Sequence, residues 1–524
     1  MTTAVRWTAG GALALAVAAL AMAGAYRPVE APPALGVAAA VVAATLAAAM
    51  VVLAVARPWS GLLLLAAALP IVNVARAEAV VGPVQVLPAT IVIAALAVGA
   101  LLDRTPDRAE ERNRWPTWIA MILGAGLAVV ATLAAPSRDD AVNITLHGVL
   151  EPLALFAVAF ALRPTLRQVS AALLAVAAGV VVATLLNFAW LLIVVGPRDL
   201  YEQRMLFARL TYFNVGIFGT MLVVALPAAA SVVFAWPWAS RRRVATLVGW
   251  AAIGLIILAL FFTYTKSAWL SAALVAALMV LLLVRGWRRR LALLAVIALL
   301  LAVVVPYPLA ALRVVAPGVA AAYESLLVGM QGEGRVESWD PDTYNGSGSI
   351  GIRLEAVGAA AEITAQSPLL GVGPGGFQAE FERIRPDASV PELQSAHNLL
   401  PNLAAEYGLP FALLAAIGLA LVLWRALGTR RSTIAPERIT GVAVALALIG
   451  FVAMATLFGN DLYRPYRTMN GDVLAVALLA GLAWSLPGGR AASAGAAGPE
   501  AGEPLDQPAD LGPSGRDEFQ RPDA

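Results

Sequence analysis

The stretch Val244–Arg285, "VATLVGWAAIGLIILALFFTYTKSAWLSAALVAALMVLLLVR", decides the fold class. It holds two apolar runs, 244–263 and 267–285, with Lys266 as the one charge in the turn between them. A helix of roughly 20 apolar residues is long enough to cross the hydrocarbon core of a bilayer. Lipid cannot hydrogen-bond to exposed backbone, so such a run is read as a membrane-spanning helix. Only Tyr264, Thr265 and Lys266 lie between the two runs, which leaves room for a tight turn. Lys266 is the only lysine of the chain. A cation in such a turn either reaches for lipid headgroups or binds an anion in a cavity.

Runs of the same kind recur from end to end. The chain is 60% hydrophobic and 13% charged, where a soluble domain is about half apolar and about a quarter charged. The fold class expected is an all-α polytopic membrane protein of about 14 transmembrane helices (about 12–14), with one large extracytoplasmic loop containing short helices. The spans fall near 7–25, 34–56, 59–75, 86–102, 117–135, 148–162, 169–195, 213–236, 244–263, 267–285, 291–308, 399–425, 439–458 and 471–487. The first run has Arg6 before it and small residues at its end, as a signal peptide would, but another span follows directly, so it is read as an uncleaved helix. The absence of cysteine excludes disulfides, thiolate catalysis, zinc–thiolate sites and iron–sulfur clusters.

Arginine placement orients the spans. With the N-terminus inside, one face receives "DRTPDRAEERNR", "RPTLR", "SRRR", "RGWRRR" and "RALGTRR". The bias among short loops puts both termini in the cytoplasm. The units expected are N-terminal helices over 1–195, central helices over 196–308, an extracytoplasmic loop over 309–398, C-terminal helices over 399–487 and a disordered cytoplasmic tail over 488–524. A loop as long as 309–398 is usually functional or disordered. Within it, "NGSGS" at Asn345–Ser349 reads as a turn-rich linker, and "IGIRLEAVGAAAEITAQSP" as a short helix ending before Pro368.

Chemistry collects at the outer face. "GVGPGG", Gly371–Gly376, matches a dinucleotide fingerprint by letter, but no strand or βαβ unit surrounds it, so it reads as a compact turn. His397, one of two histidines, stands at the seam between loop and helix in "QSAHNLLPNLAAEYG". It is either a helix-capping, interfacial residue or a base, since neutral imidazole readily takes a proton near neutral pH. The helix after it carries Asn398, Asn402 and Glu406. Glu406 falls about two turns into the expected span, where an ionisable group is expensive and marks a functional hypothesis. Arg204, Arg209, Lys266 and Arg353 are the outward-facing cations. Each is either a surface charge or part of an anion site. Together, beside a histidine, they suit a diphosphate leaving group, whose oxygens gain charge as the bond breaks. Arginine holds such oxygens with a two-pronged fork, lysine with a point charge.

The segments "SPLLGVGPGGF … SAHNLLPNLAAEYGLPFALL" resemble the signature of the bacterial O-antigen ligase/polymerase family, in which a glycine-rich turn precedes an H-N pair and an E-x-G. "FTYTKSAWLSA" is similar to its T-x-S-R-G-x-x-L segment, and "RLTYFNVGIFGTMLVVALP" to its F-x-N helix. The resemblance covers roughly residues 200–430. It implies a membrane glycosyltransferase that acts outside the bacterial cytoplasmic membrane, with inversion and without metal or cofactor. The donor implied is a glycan on undecaprenyl diphosphate. The acceptor is a glycan, a glycolipid or a protein hydroxyl, with the bilayer as the other partner and no nucleic acid. Ligase and polymerase stay open, because they differ in the acceptor.

The resemblance makes His397 the base and assigns the diphosphate to Arg353 and Lys266, with Arg209 added by its place before the F-x-N helix. Glu406, Asn398 and Arg204 are supporting residues. Lys266 stands where the family prefers arginine, which keeps the charge and loses the fork. Two other classes remain. A flippase or anion transporter would need polar groups near mid-membrane, and the spans offer few: Glu151 near one end, Asn187 and Asn214. A scaffold for envelope assembly would use the loop only to dock partners.

Overall fold

A computed structural model of the chain describes residues 33–74, 79–81, 84–103, 114–195, 207–208, 215–235, 242–263, 265–284, 286–304, 349–386, 395–432, 435–457 and 471–486. The expected first span, the tail, Arg204, Arg209 and all of 309–348 lie outside these residues. In the N-terminal part, α1 is Pro33–Ala56 and α2 is Pro58–Ala68, continued by a 3-10 turn over Leu69–Val74. A hairpin of β1 (Ala79–Val81) and β2 (Val84–Val86) leads to α3, Pro88–Leu102. Then come α4 (Trp115–Ala134), α5 (Arg138–Thr145), α6 (Glu151–Ala161) and α7 (Leu166–Trp190). A π turn over Leu146–Leu150 joins α5 to α6 without a break, and another, Leu191–Val195, ends α7.

The central helices are α8 (Val215–Ala235), α9 (Arg242–Thr263), α10 (Lys266–Leu283) and α11 (Trp287–Val304). They are followed by α12 (Ser349–Gln366), α13 (Phe377–Ile384), α14 (Leu399–Tyr407) and α15 (Leu409–Gly428). The last two are α16, Ala435–Val452 with a π turn over Ala453–Leu457, and α17, Gly471–Trp484.

Among the described residues, 7 helices are long and apolar enough to cross a membrane. They lie at 115–134, 138–161, 166–193, 216–233, 243–263, 409–431 and 435–456. Shorter apolar helices occupy 45–56, 58–71, 88–102, 267–283 and 472–484. The run expected to span at 59–75 forms a helix of only 11 residues, α2, before it tightens into the 3-10 turn.

Two helices form the centre. α8 and α16 are enclosed along most of their length and pack on each other, while α9 and α15 present long apolar faces outward, as lipid-facing helices do. Inside a bilayer, burial from water no longer drives helix association, so small residues that let backbones approach become the contacts. Gly450 of α16 sits against Val223 and Val275, Gly219 of α8 against Ala268, and Gly481 of α17 against Ala159.

One expected helix divides in two. The reading of a single span over 399–425 fails at Gly408, whose φ of +84° no helix accommodates. A Cβ there would also overlap the Leu369 carbonyl. Pro410 then opens α15 from its first turn, where a missing N–H does no harm. The short α14 instead joins α12 and α13 in a small core of its own: Ala356, Ala359, Ala360, Ile363, Phe377, Phe381, Ala396 and Ala405.

Candidate active site

The glycine-rich turn is built around the C-terminal end of α14. The Val372 N–H donates to the Ala405 carbonyl at 2.9 Å and the Gly373 N–H to the Glu406 carbonyl at 3.0 Å. The Gly375 N–H donates to Glu406 Oε1 at 3.1 Å, and the Leu409 N–H to the Pro368 carbonyl at 2.8 Å. Helix ends leave carbonyls without intrahelical donors, and here a neighbouring loop supplies them. Gly371, at φ +66°, lies so close to the Ala405–Glu406 peptide that a Cβ would overlap it. "GVGPGG" is thus a helix-wrapping turn. Glu406 is fully enclosed at the end of a separate short helix, where its carboxylate receives the loop, and not two turns inside a continuous span.

His397 stands at the other end of α14, in the turn that enters it, with φ +49°. Its N–H donates to Ser395 Oγ at 3.3 Å. The preceding Ala396 N–H donates to Asn402 Oδ1 at 2.9 Å. The following Asn398 donates its Nδ2 to the Thr456 carbonyl at 2.6 Å, in the π turn that ends α16. Thr456 lies in the last turn of that segment, where carbonyls lack intrahelical donors.

Arg353 and Lys266 belong to two different helices. The C-terminal ends of α12 and α14 are joined by the glycine turn, and the two helices pack side by side. They therefore run the same way, and the Arg353 end of α12 falls toward the His397 end of α14. Ala356, one turn after Arg353, and Ala396, one residue before His397, belong to the same small core. Lys266 is the first residue of α10. The Trp269 indole N–H donates to the Leu260 carbonyl at 2.6 Å and holds the turn between α9 and α10 closed. Val275 touches Gly450, and the π turn after α16 also packs on α10. The segment that receives Asn398 thus packs on the helix that Lys266 begins. Among the described residues, no three acidic or imidazole side chains converge as a metal ion would require.

Two polar groups escaped the sequence reading. Tyr407, fully buried and stacked on Phe411 with ring centroids 4.9 Å apart, hydrogen-bonds Thr145 Oγ1 at 3.2 Å. Thr145 in turn meets Thr132 Oγ1 at 2.6 Å, so α14 is tied to α4 and α5. The second histidine, His147, is buried with Nδ1 3.0 Å from Glu151 Oε1 and Nε2 3.1 Å from the Gln85 carbonyl. Thr90 Oγ1 donates to the same Glu151 oxygen. The i, i+4 spacing of His147 and Glu151 was the available signal; their partners on the hairpin and α3, some sixty positions away, were not visible in it.

No curated protein matches the chain. Residues 251–416 match the family model described as O-antigen ligase. The match runs from α9 through the Lys266 turn, Arg353, the glycine-rich turn, His397 and Glu406 into α15. Through this segment the chain, an apolar helical membrane protein, is similar to the O-antigen ligase family.

Proposed function

We propose that the chain transfers or polymerises a glycan from a polyprenyl-diphosphate donor onto an acceptor hydroxyl on the extracytoplasmic face. His397 takes the proton of the acceptor hydroxyl. The resulting oxygen attacks the anomeric carbon from the side opposite the diphosphate. The new glycosidic bond forms as the bond to diphosphate breaks, the configuration inverts, and the leaving group departs with the electron pair. Arg353 and Lys266 hold its oxygens as charge accumulates, where fixed cations contribute most. Arg209 and Arg204 join them in this proposal from their place in the sequence, and Asn398 and Glu406 support the turn.

The observation that carries this reading is the His397 turn. It is left-handed, tethered on both sides, and entered from Ala396, which shares a small core with Ala356, one turn after Arg353. The family match over the same residues supports it. In this reading both termini, and the arginine-rich turns Arg288–Arg290 and Arg430–Arg431, are cytoplasmic.

The test is transfer in proteoliposomes carrying a lipid-linked donor, with transmembrane glycan flux measured in the same vesicles. His397→Ala is expected to abolish transfer while the protein still inserts and stays monodisperse. Full activity in that variant would sink the base assignment, and flux without transfer would make the protein a carrier. Lys266→Arg is expected to sustain transfer and Lys266→Ala to raise KM for the donor about tenfold, as loss of one charge-assisted contact does.

A further inference from the structure

A φ of +49° is uncommon for any residue but glycine and persists only where the surroundings over-determine it. One side chain does much of that for His397. Asn402, in the second turn of α14, reaches back past the start of its own helix, and its Oδ1 accepts the Ala396 N–H at 2.9 Å. Ala396 is fully buried in the core shared with α12 and α13, so water does not compete for this N–H. The bond fixes the backbone one residue ahead of His397. Asn398, anchored to the Thr456 carbonyl, fixes it one residue behind.

Asn402 is itself 2% exposed, and its Nδ2 has no hydrogen-bond partner among the described residues. An amide NH2 can only donate, so the atom that Nδ2 can take is an acceptor. On a glycan or a diphosphate, that acceptor is an oxygen.

We propose that Asn402 is a positioning residue for transfer at His397: its Oδ1 holds the left-handed turn, and its Nδ2 donates to an oxygen of the bound substrate. This rests on the reading of His397 as the base. The lipid-linked donor and the acceptor both carry such oxygens, and separate KM values tell them apart.

The experiment compares Asn402→Ala and Asn402→Asp with wild type and His397→Ala in proteoliposomes, reading kcat and both KM values. Asn402→Asp keeps an oxygen for the Ala396 N–H and replaces the orphan NH2; Asn402→Ala removes both groups. Asn402→Ala is expected to lower kcat about tenfold or more, the scale of a misplaced catalytic group. Asn402→Asp is expected to return kcat to within about threefold of wild type and to raise one KM about tenfold, which identifies the substrate whose oxygen is held. If Asn402→Asp loses kcat as far as Asn402→Ala with both variants folded, the positioning role is overturned. Unchanged KM values in Asn402→Asp would overturn the donor role. Should Asn402→Ala not fold, Asn402→Asp against wild type still decides both. An active His397→Ala overturns the base reading and this inference with it. An inactive His397→Ala beside an unimpaired Asn402→Ala overturns the inference alone.

Discussion

Glu406 changes meaning between sequence and structure. Read along the chain, it is a carboxylate two turns inside an apolar helix. In the fold it terminates a separate helix and accepts the Gly375 N–H, because Gly408 adopts φ +84° and ends the helix two residues later. Pattern and composition do not reveal a positive φ; only the close approach of Leu369 shows why glycine is required there. Glu406→Ala is expected to destabilise by about 1–2 kcal/mol and Glu406→Gln by less, since glutamine keeps an oxygen acceptor. Gly371→Ala should be worse than either, by more than about 2 kcal/mol, because strain at φ +66° adds to overlap with the Ala405–Glu406 peptide. Thermal unfolding in detergent ranks the three. A Gly371→Ala protein as stable as wild type would show that the turn does not wrap α14 as described.

Among elements, α5 and its π turn tie the N-terminal helices to the active-site helix. One side gives Thr145 to Tyr407 of α14; another gives His147 and Glu151 to the hairpin and α3. The Gln85 carbonyl can only accept, so His147 Nε2 carries a hydrogen, and Nδ1 shares the remaining contact with Glu151. Removing one partner of a buried pair leaves the other uncompensated, so Glu151→Ala is expected to destabilise by about 3–5 kcal/mol. Tyr407→Phe is expected to lose about 1 kcal/mol and Thr145→Val about 2 kcal/mol, since the latter also removes the bond to Thr132. Because both delete the same bond, the double variant should lose much less than the sum, and a cycle of unfolding midpoints measures this coupling.

The small α13 carries a pH signature. A hydrogen bond from Arg383 holds the Glu380 carboxyl below its ordinary value, against a smaller opposing effect of burial. A lowered folded-state value means that the contribution is present above the ordinary carboxylate range and fades as pH falls through the lowered value. Protection of α13 amides, corrected for the intrinsic pH dependence of exchange, should fall on acidification below about pH 4. The part of that fall attributable to this pair should be missing in Glu380→Gln.

On the scale of the whole molecule, a chain without cysteine allows single-cysteine mapping with no background. Leu369, 71% exposed beside the glycine turn, and Trp287, 66% exposed at the start of α11, mark opposite ends in the proposed topology. A membrane-impermeant maleimide applied to intact cells should label Leu369→Cys, and should label Trp287→Cys only after permeabilisation; the reverse pattern would invert the topology. Hydrophobic composition and run length by themselves determined that this is a helical membrane protein, because lipid forces backbone groups to be matched within each segment. The motifs between the runs pointed to the family whose model matches residues 251–416. Tertiary structure alone decided how the site is made. The break at Gly408, the turn wrapped on Glu406, the Asn402 bond behind His397 and the reach from Tyr407 to Thr145 join residues through backbone angles and contacts that periodicity does not encode.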